Sequence, residues 1–321
     1  MSRTFQSAFS RYFIDFVKLR RVAGLDYSSQ EALLQKFDKY LLRTGRDDIL
    51  SFDDVQNFFE VEHSEKSFGQ KCRMYQVIRH FYDYLAVFIP QQPHLPIGEY
   101  RRSKTRPVPR IFTEEELALL LKESKRISRH NEIRNKTLHA AISLAVACGL
   151  RRSEIANLRL QDVNLNEHSL FINQTKFGKS RIIPIGEDLC EILRDYISFR
   201  RQQYPLVTTE KFFITMHKTG LSGSWLYQSF RELLCKLGMA TPDGKNAHLH
   251  DLRHTFAVRT ISHWYRAGKD VQSLLPALAS YMGHEHYSNT AYYFTMTAEL
   301  LGVVVDNFDS VWESEVLNEE D

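Results

Sequence analysis

No run of about 18 apolar residues occurs anywhere in the 321-residue chain, so no bilayer-spanning helix is expected. The opening stretch "MSRTFQSAFSRYF" lacks the apolar core and small-residue cleavage site of a secretory signal, and cytoplasmic residence is the expectation. Cysteine is scarce: Cys72, Cys148, Cys190 and Cys235 stand far apart with no CxxC pair. That spacing indicates neither a disulfide framework nor a cysteine zinc site, and predicts reduced, mostly buried thiols. Neither GxxxxGK[ST] nor GxGxxG is present, so no nucleotide cofactor is expected. An obvious carboxylate cluster of the kind a two-metal nuclease needs is also missing.

The residues that are present suit a soluble chain of two domains, with 43% hydrophobic and 25% charged residues. The net charge of +3 hides an asymmetry, because seven acids crowd into residues 306–321. Residues 1–110 carry 18 basic and 13 acidic side chains, and residues 111–305 carry 24 and 19. Such a basic body fits a polyanion partner.

Four amphipathic stretches fill residues 1–90: "FSRYFIDFVKLRRVAG", "SSQEALLQKFDKYLLRTG", "SFDDVQNFFEVEH" and "SFGQKCRMYQVIRHFYDYLAVF". Their three- and four-residue apolar spacing predicts a helical bundle, each helix opening on or beside a capping Ser and the first two stopping at Gly. "IPQQPHLPIGEYRRSKTRPVPR" then holds five of the nine prolines and five basic side chains in its second half. Proline removes backbone donors and disfavours helix before it, so residues 91–110 read as an extended linker, lying along phosphates or solvated as a tether.

A second domain is expected over residues 111–305, with the acidic tail 306–321 after it. "FTEEELALLLKESKRI" offers a capping box, Thr113 with Glu116. "NKTLHAAISLAVACGLRRSEIANLRLQDV" reads as a buried helix, a turn at Gly149 and another helix. "SLFINQTKFGKSRIIPI" is the clearest hairpin, and most of the remaining chain reads as helix. The fold class is therefore mainly α with a small β-hairpin or sheet.

Several polar residues are placed to do chemistry, although each has a bland reading alone. His250 and Arg253 in "HDLRHTF" share a helix face at three-residue spacing, a pairing that holds phosphate oxygens. His250 and His254 have the i, i+4 spacing of a zinc pair but lack the glutamate of HExxH, and a core or helix-start role suits His254 better. In "GLRRSEI", Glu154 is placed to orient Arg151, while Arg152 is its immediate neighbour. Lys176, Lys179 and Arg181 taken alone read as a solvated turn. In "GHEHYSNTAYYFT", Tyr287, Tyr292 and Tyr293 all come after His284, and His286 is an extra histidine.

Taken in order, these residues resemble the tyrosine recombinase or phage integrase family, which includes the Xer-type recombinases and lambda integrase. The family's boxes fall on Arg151 in "CGLRRSEI", Lys176 in "QTKFGKSRIIPI", His250 and Arg253 in "LHDLRHTF", His284 in "MGHEHYSNT" and Tyr293 in "TAYYFT". The resemblance implies a helical core-binding domain ahead of a tyrosine-recombinase catalytic domain. It implies DNA strand cleavage by Tyr293 through a 3′-phosphotyrosyl link, with no metal and no ATP. Arg151 and Arg253 would neutralise the phosphate and His284 would hydrogen-bond it. His250 would assist the tyrosine, Lys176 would protonate the leaving oxygen, and Glu154 would orient its neighbours.

The implied partners are double-stranded DNA with specific sites, a homodimer on each site, a tetramer in synapsis, and accessory recombination proteins. DNA binding should weaken with salt. Integration, transposition and dimer resolution are all compatible with the motifs. Two rivals carry other expectations: a catalytically silent DNA-binding regulator of the same fold, and a type IB topoisomerase-like enzyme.

Overall fold

The computed structural model describes residues 5–100, 109–173, 180–239, 247–284, 290, 292–294 and 297. The chain divides into two compact units, Met1–Pro107 and Val108–Asp321.

The first unit is built on α1 (Ser10–Val22), α2 (Ser28–Arg43), α3 (Phe52–His63) and α4 (Phe68–Phe88). Each buries residues at helical spacing, such as Phe13, Phe16 and Val17 on α1 and Ile78, Phe81, Tyr82 and Leu85 on α4. The core is largely aromatic, with Phe13 stacked on Phe81 at 3.9 Å between ring centroids. Fully burying one such side chain stabilises by about 1.5–3 kcal/mol, which is why the register of each helix is fixed.

The expected serine caps form on two helices of the four. Ser51 with Asp54 and Ser67 with Gln70 make capping boxes on α3 and α4. Phe9 and Tyr27 occupy the cap positions of α1 and α2, with no side-chain cap. Ser10 and Ser28 are already inside the first turn, and Asp26 accepts the Ser28 backbone N–H instead.

The first half of the proline-rich segment is not a solvated tether. Gln92 bonds both backbone groups of Leu50, at 3.1 and 2.7 Å, and Leu95 joins the aromatic core. The Tyr75 hydroxyl donates to the Pro96 carbonyl at 2.7 Å, and Tyr100 packs on Phe59 and Tyr75. Proline removes donors here, but the carbonyls and flanking side chains still bind the bundle.

The second unit centres on α6 (Glu132–Cys148), against which α5 (Glu114–Ser124), α8 (Glu187–Gln203) and α10 (Leu249–Arg266) pack. Its Ala140, Ala141 and Ala145 are buried, small side chains that let neighbouring helices approach closely. The Thr113–Glu116 capping box opens α5 as expected. Short α7 (Arg152–Asn157) comes after the turn at Gly149, and α9 (Gly223–Lys236) and α11 (Val271–Met282) complete the described helices.

Strands β1 (Val163–Asn164), β2 (Ser169–Ile172) and β3 (Arg181–Pro184) form an antiparallel sheet in sequence order. The hairpin is β2–β3, and β1 adds a third strand that no local sequence pattern signals. The hairpin turn, with Lys176 and Lys179, lies outside the described residues, as do His286, Tyr287 and the acidic tail. Among the described residues no helix is long and apolar enough to cross a membrane.

Candidate active site

The site is assembled where helices end. The last four carbonyls of an α-helix have no intrahelical partner and carry the negative end of its dipole, so they attract cations. At the C-terminus of α11 three arginines answer. Arg181 Nε donates to the Tyr281 carbonyl at 2.7 Å, Arg253 Nη2 to the Met282 carbonyl at 2.6 Å, and Arg151 Nη2 to the Gly283 carbonyl at 2.6 Å. Arg253 Nη1 also donates to the Gly149 carbonyl, 2.8 Å away at the end of α6.

Glycine is required at both helix ends. Gly149 and Gly283 have φ of 60° and 65°, in the left-handed region that side chains disfavour. A Cβ on Gly149 would fall 2.6 Å from Phe256 Cδ1, and one on Gly283 would fall 2.7 Å from Arg181 Nη1. Gly283→Ala is therefore expected to cost at least about 1–2 kcal/mol from backbone strain alone. It should also displace Arg181; the check is a thermal melt alongside a DNA-cleavage assay, with both reduced.

One carboxylate serves two of these cations. Glu154 accepts from the Arg151 side chain and backbone, both at 2.9 Å, and from both terminal nitrogens of Arg181 at 3.1 and 3.0 Å. Burial works to raise the Glu154 pKa, but the hydrogen bond and charge of Arg181, then Arg151, outweigh it and hold the pKa below the usual value. Arg253 is 1% exposed and pairs with no carboxylate among the described residues. Burial, then the charge of Arg151, lowers its pKa to about 10, so it remains cationic at neutral pH. Three guanidiniums around one carboxylate leave an excess of positive charge.

Of the two adjacent arginines, Arg151 turns into this cluster, while Arg152 is exposed and lies over the Tyr227 ring. On α10, His250, Arg253 and His254 fall on neighbouring positions of one strip. His250 is exposed, its ring edge-on to His254 with centroids 4.6 Å apart. Desolvation by the surrounding protein, and then the charges of Arg253 and Arg151, lower its pKa. His284 comes directly after Gly283 and shares a hydrogen bond with Thr290 Oγ1 at 2.7 Å through Nδ1.

Tyr293 is 3% exposed and its ring lies alongside His284, with centroids 6.0 Å apart. Its hydroxyl hydrogen-bonds His254 Nδ1 at 2.7 Å. Tyr292 instead packs at the edge of the cluster formed by α10 and α11.

The structure thus gathers Arg151, Glu154, His250, Arg253, His284 and Tyr293 in one place. Lys176 falls outside the described residues. Two members of the cluster do not stand out in the sequence. Arg181, which reads there as part of a solvated turn, is on β3 opposite Ile172, two residues from buried Ile183, and so shares the inward face. The alternation in "RIIPI" is the available signal. For His254 a core or helix-start role accounts for its burial but not for its tyrosine partner.

Three features predict acid sensitivity. Burial first, then His250 and Arg253 beside His254, and Arg253 and Arg151 beside His284, lowers the pKa of both histidines to about 3. Unfolded histidine titrates near about 6.5, so below that pH protons favour the unfolded chain. Stability should be flat above about pH 6.5 and decline as pH falls toward 3, with the Glu154 contribution lost below about 4.5. Thermal melts across pH 8 to 4 check this, and His284→Asn should flatten the slope below pH 6.5.

Residues 110–299 match the model of the phage integrase family. The chain belongs to that family and is a tyrosine site-specific recombinase, an enzyme that acts on DNA. It is 33% identical over 308 residues to y4rE of Sinorhizobium fredii, a protein named as an integrase/recombinase, covering 94% of this chain and 97% of the relative. It is 26% identical over 293 residues to the tyrosine recombinase XerD of Staphylococcus epidermidis, covering 88% and 91%.

Among solved structures, the Tn1549 transposon integrase in complex with circular intermediate DNA has a TM-score of 0.63 at 18% identity, covering 95% of this chain and 99% of that one. The XerH recombinase bound to difH in a post-cleavage complex has a TM-score of 0.61 at 19% identity, covering 84% and 76%. These two likenesses concern the fold.

Proposed function

We propose that this recombinase breaks and rejoins DNA strands through Tyr293, with a phosphodiester seated against Arg151, Arg253 and His284. The observation that carries the reading is the excess of guanidinium charge beside the tyrosine: a site built for an anion, with a phenol at its edge. In-line attack joins Tyr293 Oη to phosphorus and breaks the bond to the 5′-oxygen, which leaves as a free 5′-hydroxyl. Negative charge builds on the non-bridging oxygens, and preorganised donors lower that barrier.

A phenol with a pKa near 10 needs its proton drawn away as it attacks, and the α10 histidine strip is the group at hand. We assign protonation of the leaving oxygen to Lys176 and include His250 among the active-site residues. Glu154 ties Arg151 to Arg181 on β3, the strand that follows the Lys176 turn. Because the tyrosyl–phosphate link conserves the phosphodiester energy, religation needs no ATP, and the guanidiniums of Arg151 and Arg253 take the charge-neutralising role a metal ion would otherwise fill.

DNA recognition is assigned to both units, with residues 1–90 as the core-binding domain, 91–110 as linker and 111–305 as catalytic domain. We place the enzyme in the cytoplasm, acting as a dimer on each site and a tetramer in synapsis, in the integration or transposition of a mobile element. The test uses a duplex that the full chain selects from a random-sequence pool, then nicked beside the cleavage point. A covalent protein–DNA adduct should accumulate in EDTA and without ATP. Cleavage that stops when EDTA is added contradicts the metal-free reading.

A further inference from the structure

The histidine touching the nucleophile is not the one that the phosphate-binding pattern singles out. His250 opens α10 on the exposed side, whereas His254, one turn further along, reaches the Tyr293 hydroxyl. At 2.7 Å between Nδ1 and Oη this is a short hydrogen bond between neutral groups, and the rings are 5.4 Å apart. We propose that His254 is a positioning residue for the nucleophile, its Nδ1 accepting the Tyr293 O–H and so aiming the phenol oxygen at the phosphate. The inference rests on the reading of Tyr293 as the attacking residue.

That bond has chemical consequences. With its hydrogen directed at Nδ1, Tyr293 Oη turns its lone pairs, the electrons that attack phosphorus, away from His254. The bond also restricts rotation of the hydroxyl and of the ring, so less freedom is lost on reaching the in-line geometry. Nδ1 accepts only in the neutral tautomer that carries its hydrogen on Nε2. The surroundings maintain that neutral state: the residue is half-buried, the His250 ring stands edge-on, and the Arg253 cation is the preceding residue. A cationic His254 would have no lone pair left to offer at Nδ1.

The position also explains why α10 carries its polar residues as it does. Arg253 is pinned by carbonyls at the ends of both α6 and α11, which fixes the rotation of α10 about its axis. Fixing Arg253 fixes His254, and through it the hydroxyl of a tyrosine 39 residues away in sequence. The phosphate-binding guanidinium and the aim of the nucleophile are thereby set by one helix.

The test compares His254→Asn with His254→Leu, side chains of nearly equal size and shape. Asn can place an amide atom close to the position of Nδ1, and Leu cannot. Single-turnover adduct formation on the selected, nicked duplex is measured for each variant in the full chain, together with DNA affinity and a thermal melt. Leu is expected to slow adduct formation on the order of 100-fold, with DNA affinity within about threefold of the parent, while Asn recovers most of the rate.

Equal rates for Leu and the parent overturn the proposal, as do equal losses for Asn and Leu when both are folded and bind DNA. Tyr293→Phe separates the positioning role from the nucleophile assignment. Adducts that persist in it overturn the nucleophile assignment itself, whereas their loss, with an undiminished rate in His254→Leu, removes only the positioning role.

Discussion

Tyr293→Phe is expected to abolish covalent adduct formation while leaving DNA affinity within about twofold of the parent enzyme. The substitution deletes one oxygen from a ring that is 3% exposed and packed beside His284 and His254, so the shape of the core is kept. Losing the hydroxyl leaves His254 Nδ1 without that partner, at a cost of about 1–3 kcal/mol to stability. Cleavage is lost outright because no other described hydroxyl is held against the α10 histidines. Tyr292→Phe is the matched control. Adjacent helical side chains diverge by about 100°, and Tyr292 packs at the edge of the α10–α11 cluster. Its loss should leave the adduct yield within a few-fold, showing that placement rather than residue type makes the nucleophile.

The second large effect is expected at Arg253. Arg253→Lys retains the charge but not the planar fork that reaches carbonyls on two helices, 2.8 Å to Gly149 and 2.6 Å to Met282. The adduct rate should fall by about 100- to 1000-fold, the usual consequence of losing one preorganised transition-state donor. Stability should fall as well, because at least one buried carbonyl is left unpaired, at about 1–3 kcal/mol. Arg253→Ala removes both bonds and should be the less stable of the two. Single-turnover kinetics and thermal melts together separate these effects: a melt unchanged in both variants would contradict the bridging role.

Much of this organisation is legible locally. Helical spacing exposes the bundle, the Thr113–Glu116 pair marks the start of α5, and the turn at Gly149 and the β2–β3 hairpin announce themselves in neighbouring residues. The ordered Arg, Lys, His-x-x-Arg, His and Tyr pattern points to the site without any knowledge of contacts. The illegible part depends on residues far apart in the chain. Nothing local to Arg181 says that its guanidinium meets Glu154, 27 residues earlier, and the Tyr281 carbonyl, 100 residues later. His254 is similarly opaque, because the spacing within "HDLRHTF" fixes its face on α10 but not what packs there. The missing caps at Ser10 and Ser28 have a simpler cause: a serine near a helix start caps only if it lies one residue outside the first turn.

Covalent joining of Tyr293 to DNA is the central claim. Proteolysis of the trapped adduct, then mass spectrometry of the nucleotide-bearing peptide, tests it most directly. The expected result is phosphate attached to Tyr293 through a 3′ linkage, with a free 5′-hydroxyl on the released strand. A nucleotide found on Tyr292 or on any other residue, or a 5′-linked phosphotyrosine, would contradict it.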